Sequence, residues 1–102
     1  MELTRDFSDT LTEHLQRNRG ARKALLAEAI RCLLSGDVDT GKAVLRTYIS
    51  ATIRFEELSV RMRMPPDSLT QMLRPTGNPK AWTLCQLIAE LQQAEGVHLQ
   101  LR

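Results

Sequence analysis

FEELSVRMRMPPDSLTQMLRPTGNPK, residues 55–80, is the stretch whose reading decides the fold. Leu58 and Met62 stand four apart, which puts them on one face of a helix, and Leu69, Met72 and Leu73 do the same for a second helix. Between the two, Arg63-Met64-Pro65-Pro66 interrupts helical geometry. Pro65 disfavours the helical conformation at Met64, whereas Pro66 suits the first turn of a helix. Asp67 in that turn complements the helix dipole. The pattern predicts helices over about 55–62 and 66–73, a tight turn between them, and a loop at Gly77-Asn78-Pro79. In a helix-turn-helix unit the first helix braces the second, and the second is free to enter the major groove of a duplex.

Fixing the core face also fixes the outward face of the second helix: Pro66, Asp67, Thr70, Gln71 and Arg74. Gln can pair with adenine through two hydrogen bonds, Arg with guanine, and Thr can meet a base or a thymine methyl. Arg61, Arg63, Arg74 and Lys80 surround this face and suit phosphate oxygens, and Ser68 and Asn78 complete the candidate DNA contacts. Residues 54–80 hold five basic and three acidic side chains, a small surplus. Phosphate contacts supply most non-specific affinity, so a single copy is expected to bind modestly and a dimer usefully.

Outside this stretch the periodicity is helical almost throughout. Ser8 or Asp9 is a candidate cap for a short first helix carrying Leu11 and Leu15, with a break at residues 17–20. A second helix is predicted over about 21–35, its stripe formed by Leu25, Leu26, Ala29, Ile30, Leu33 and Leu34, and Gly36 ends it. Asp37 or Asp39 caps a third helix reaching about residue 52, with Val44, Leu45, Tyr48 and Ile49 inward. A last helix spans about 81–95, with Trp82, Leu84, Cys85, Leu87, Ile88 and Leu91 expected in the core and Gly96 as its stop. The tail, residues 97–101, alternates apolar and polar, the period of a strand. A lone strand needs a partner for its backbone groups. Either the same strand of a second copy supplies it, making a symmetric homodimer, or the tail frays.

The stretch resembles the helix-turn-helix of Cro- and lambda-repressor-like regulators. More narrowly it is similar to the antidote proteins of addiction modules, the antitoxins of type II toxin–antitoxin pairs. Leu58, Ser68-Leu69 and Gly77-Asn78-Pro79, followed by Lys80-Ala81-Trp82-Thr83-Leu84, carry the resemblance, which covers about residues 37–101. The family favours Ala where Ser59 stands and Gly where Arg63 stands, and Pro65-Pro66 is unusual for it. Arg63 must therefore take a conformation that Gly adopts more readily, or the turn is built differently. The resemblance implies a lambda-repressor-like domain of five or six helices with a short C-terminal strand. It also implies a dimeric transcriptional regulator that represses its own operon, with a toxin protein as partner.

The 102 residues are expected to form one domain, with N-terminal helices over 1–52, the helix-turn-helix and following helix over 53–95, and the strand over 96–102. Hydrophobic residues make up 42% and charged residues 25%, ordinary for a globular chain, and the net charge of +2 leaves DNA contact to local arginines. No apolar run of about 18 residues exists to span a membrane, and the N-terminus lacks the pattern of a signal peptide. A cytoplasmic location is expected, with Cys32 and Cys85 as buried free thiols, although sequence alone leaves a disulfide open. Gly36-Asp37-Val38-Asp39-Thr40-Gly41-Lys42 has the spacing of a phosphate-binding loop up to its lysine, but Ala43 replaces the required Ser or Thr and a helix precedes it, so it reads as a capped helix–helix turn. Arg17, Arg19, Arg22 and Lys23 form either a solvated face or a surface for DNA backbone or an acidic partner. His14 and His98 lack metal spacing, and no catalytic set is evident. The expectation is a DNA-binding protein without enzymatic activity, cofactor or metal. The alternative is a protein-interaction module on a helix-turn-helix that no longer reads DNA, since Pro66 and Asp67 read bases poorly.

Overall fold

Helix boundaries in this chain are set by short-range hydrogen bonds that the sequence places at each junction. The Asn18 side chain accepts the Ala21 N–H at 2.9 Å and so starts a helix at Arg19. That helix ends where Gly36, at φ +93, lets the Gly36 N–H reach Leu33 O at 3.2 Å and the Asp37 N–H reach Cys32 O at 2.9 Å. Asp37 then caps the next helix by accepting the Thr40 N–H at 3.4 Å.

The computed structural model describes residues 5–96, and over them the chain is all-α. The helices are α1 (Arg5–Arg17), α2 (Arg19–Leu34), α3 (Val38–Ala51), α4 (Arg54–Met62), α5 (Pro66–Met72) and α6 (Ala81–Glu95). Ser8 and Asp9 lie inside α1 and not at its start, and Gly20 lies inside α2, because Asn18 supplies the cap that divides them. The strand expected over residues 97–101 falls outside the described residues. Among the described residues, no helix is long and apolar enough to cross a membrane.

The core is one cluster to which five helices contribute. Leu26, Ala29 and Ile30 come from α2, Leu45, Tyr48 and Ile49 from α3, Leu58 and Met62 from α4, Leu69 from α5 with Leu73 just after it, and Leu87 and Leu91 from α6. The α2–α3 pair makes the most extensive helix–helix contact, and Gly41 permits it: a Cβ there would stand 2.7 Å from the Leu33 side chain. The helix α6 corrects the sequence expectation. Leu84, Leu87, Ile88 and Leu91 take its core side, whereas Trp82 is 78% exposed and Cys85 is exposed. Two residues along a helix is about 200° of rotation, so Trp82 and Cys85 cannot share the face of Leu84 and Leu87. Cys32 is half-buried, and both cysteines are free thiols.

One ionic cluster ties α1, α2, α3 and α6. The Glu95 carboxylate, 6% exposed, accepts from Arg22 Nε at 2.9 Å and from the Tyr48 hydroxyl at 2.9 Å. Arg22 Nη1 donates to Leu15 O and Gln16 O, each at 2.9 Å, so the same guanidinium closes the end of α1. The hydrogen bond to Glu95 holds the Arg22 pKa above its ordinary value. Burial, and then the Glu95 carboxylate, push the Tyr48 hydroxyl above the ordinary tyrosine range.

Glu95→Ala leaves the Arg22 guanidinium and the Tyr48 hydroxyl without their acceptor, and is expected to cost about 2–3 kcal/mol in urea unfolding. Tyr48→Phe is expected to cost about 1 kcal/mol at neutral pH. Because the folded state holds the Tyr48 proton more tightly than the unfolded state, its contribution is complete below pH about 10 and is lost as pH rises beyond that, by at most about 1.4 kcal/mol per unit. The wild-type protein should therefore lose stability faster than Tyr48→Phe above pH 10. Equal slopes would show that the hydroxyl is not held as described.

Candidate nucleic-acid interface

The turn between α4 and α5 is three residues long, Arg63, Met64 and Pro65. Arg63 is left-handed, at φ 56 and ψ 42, so a side chain occupies the position where Gly is ordinary. Its N–H donates to Val60 O at 3.3 Å, and the Met64 N–H donates to Ser59 O at 3.1 Å. This is the same pair of closures that Gly36 makes after α2. The turn that a glycine would build is thus built here with arginine. Pro65 is extended, Pro66 opens α5, and the Pro65 carbonyl accepts the N–H groups of Ser68 and Leu69 at 3.0 and 3.3 Å.

Leu69 and Leu73 are fully buried, as is Leu58, and Met62 is nearly so. These contacts seat α5 and leave Pro66, Asp67, Ser68, Gln71 and Arg74 exposed. Met72 is half-buried and packs at the edge of the core. Thr70, expected to face outward, is half-buried, and its hydroxyl donates to Pro66 O at 3.0 Å. Among the described residues, the side chains of Arg63, Ser68, Gln71, Arg74, Asn78 and Lys80 make no hydrogen bond or ion pair, and all six are exposed. Arg61 is placed differently: it stands 4.0 Å from both Glu57 and Glu90 and lines a cleft that involves no residue of α5.

The C-terminal end of α5 is held from behind by α3. Lys42 is 2% exposed, and its Nζ donates to Arg74 O at 3.0 Å, Pro75 O at 3.4 Å and Gly77 O at 2.8 Å. Arg46 Nη1 donates to Leu73 O. Two cations from one helix thereby satisfy four carbonyls at the end of another, where the helix dipole favours positive charge. Asp39, 86% exposed and 3.9 Å from Nζ, offsets part of the Lys42 charge. The role of Lys42 is not legible from its phosphate-loop spacing, because its acceptors lie 32 to 35 residues further along the chain. Its signal was its register, three and seven residues before the buried Leu45 and Ile49.

Between α5 and the loop that follows runs a groove of about 350 Å³, lined by Ser68, Gln71, Met72, Thr76, Gly77, Asn78 and Pro79. It brings Ser68, Gln71 and Asn78 together. A glycine is required at 77, since a Cβ there would stand 2.4 Å from Gln71 O and 2.5 Å from Met72 O. A second cleft, of about 310 Å³, lies on the other side, among Tyr48, Ile53, Glu57, Arg61, Leu91 and Glu95. No group of three metal-ligating side chains occurs among the described residues.

Left-handed geometry costs an ordinary residue about 1–2 kcal/mol, and glycine recovers most of it while losing about 0.5–1 kcal/mol to chain entropy. Arg63→Gly is therefore expected to raise the urea midpoint by an amount equivalent to about 0.5–1 kcal/mol, with an unchanged m-value. A lower midpoint would show that the arginine side chain stabilises the turn.

Neither a protein-family model, nor a curated protein, nor a solved structure matches this chain.

Proposed function

We propose that the chain is a sequence-specific DNA-binding regulator of lambda-repressor-like fold whose α5 enters the major groove. The observation that carries this reading is the combination, over α5 and the two residues that follow it, of a locked core face, Leu69 and Leu73, with an outer face of unengaged Ser68, Gln71 and Arg74. Gln71 and Arg74 are the base-reading candidates, and Arg63 and Lys80 supply exposed cations for the phosphates on either side. Thr70 and Arg61 are assigned a smaller part, the first because it bonds back to its own helix and the second because it stands between two carboxylates.

The regulator works as a homodimer, each α5 reading one half-site about 34 Å from the other. Support for a second copy comes from α6 as well as from the tail that follows it. The residues α6 turns outward, Trp82, Cys85, Gln86, Ala89 and Gln93, carry no charge, in a chain that is 25% charged. Depletion of charge with an exposed aromatic is the signature of the centre of an interface. In this reading, resemblance to antitoxins extends the function to autorepression of an operon that also encodes a toxin partner, in the cytoplasm and without enzymatic activity. The same face of α6 favours the second reading, a protein-interaction module that has lost DNA reading.

A gel shift at fixed salt with the DNA upstream of the gene is expected to show preference over a scrambled duplex. Gln71→Ala with Arg74→Ala should remove that preference, at about 1–3 kcal/mol per base-reading contact. Equal, weak affinity for every duplex would favour the interaction module. For the dimer, Trp82→Glu should halve the mass found by light scattering, because a charge at the centre of the seam is buried without a partner; an unchanged mass would place the seam elsewhere.

A further inference from the structure

We propose that the cleft bounded by α3, α4 and α6 binds a free α-amino acid with an aliphatic side chain. The cleft holds about 310 Å³, at the lower end of the range for small-molecule pockets. Its floor is Tyr48, Ala51 and Leu91, all buried, and Ile53 and Ala94 continue the apolar surface to its edge. One of the two charged pairs that line it is already satisfied. The Glu95 carboxylate accepts from Arg22 Nε and from the Tyr48 hydroxyl, each at 2.9 Å, and Arg22 is turned to Glu95 and to the carbonyls of Leu15 and Gln16. The other pair is open. Arg61 Nη2 stands 4.0 Å from Glu57 Oε1, and Arg61 Nη1 stands 4.0 Å from Glu90 Oε2. Both distances exceed that of a hydrogen bond, so neither the Arg61 guanidinium nor the Glu57 carboxylate makes one among the described residues. A lone carboxylate brought to Arg61 would lie against Glu57 and Glu90, and a lone ammonium brought to Glu57 would lie against Arg61. A ligand carrying both charges on one carbon meets an opposite charge with each. Its carboxylate takes the guanidinium as a charge-assisted pair, its ammonium takes Glu57, and its side chain covers the apolar surface between α3 and α6. The backbone beside the cleft supports a ligand site. Thr52 and Ile53 line it, and Arg54 next to them is left-handed, at φ 72, although it begins a helix and does not end one. Left-handed geometry is costly for a residue with a side chain and gathers at ligand sites. The site is independent of what α5 binds.

Amide spectra of the full ¹⁵N-labelled chain, titrated with L-leucine, test the site. The Ile53, Glu57, Arg61 and Ala94 amides should shift saturably, with half-saturation in the millimolar range or below. Isocaproate lacks the ammonium and isoamylamine lacks the carboxylate. Each should need about tenfold more for the same shifts, the effect of one lost charge-assisted contact. Arg61→Gln and Glu57→Gln should each weaken L-leucine by a similar factor. Both side chains are exposed, and the amide dispersion of each variant reports its folding. Shifts that fail to saturate, or that spread over the whole surface, would refute the site. A half-ligand that binds as well as L-leucine would overturn the zwitterion assignment, and wild-type affinity in either variant would overturn the placement of the head group. Because the titration is read first in the unaltered chain, a poorly folded variant does not leave the proposal untested.

Discussion

Helix C-termini leave carbonyls that no helix can satisfy by itself, and the manner in which this small domain meets that constraint governs the rest of its structure. Four cations from α2 and α3 are directed at helix ends. Arg22 takes Leu15 O and Gln16 O at the end of α1, and Arg19 takes Gly96 O at 3.2 Å at the end of α6. Lys42 and Arg46 take the carbonyls of residues 73, 74, 75 and 77 after α5. Each contact also places positive charge where the helix dipole is negative. The two helices that pack most closely, α2 and α3, thus act as a frame to which α1, α5 and α6 are fastened by their ends.

This use of charge changes what a modest net charge of +2 means. Arg19, Arg22, Lys42 and Arg46 are directed at protein carbonyls and are not free to reach a phosphate without giving up those contacts. Among the described residues, the cations near α5 without a side-chain partner are Arg63, Arg74 and Lys80, one in the turn before that helix and two in the loop after it. A surface with so few free cations neutralises few phosphates, and affinity falls steeply with salt only when many are neutralised. In the proposed reading, two copies on adjacent half-sites make up what one copy lacks, since linked binding events raise avidity without new contacts.

Local chemistry in the sequence foretold the helices well. Gly36, Asp37, Pro66 and Gly96 mark ends because each acts within its own turn, and the spacing of Leu58, Met62, Leu69 and Leu73 predicted how α4 and α5 meet. What lay beyond reach was every contact between distant residues. The basic cluster near residue 20 reads in sequence as a solvated or binding face; two of its arginines close helices, and one of these also pairs with a carboxylate 73 residues away. Trp82 was misplaced for a different reason. The helix α6 is apolar on more than one side, so periodicity could not say which side the core would take. Arg63 was legible as a departure from the family pattern, and its left-handed geometry follows from the turn length and from the two prolines, which leave no other residue to make the reversal.

The helix α5 is only seven residues long, and an isolated helix of that length is not stable in water. Its geometry is therefore supplied by its supports: Leu69 and Leu73 in the core, the arginine turn before it, and the lysine clamp after it. A helix mounted this way has little freedom to shift relative to the core. In the proposed reading, discrimination would follow from misfit of Gln71 and Arg74, since the helix cannot shift to improve a poor match without breaking buried carbonyl contacts. The same mounting links the two surfaces of the domain, because the loop held by Lys42 runs directly into Lys80 and the start of α6, where Trp82 stands exposed. A second copy seated on α6 would be fixed relative to α5 through that loop, and the separation of the two reading helices would be set by the protein before DNA is met.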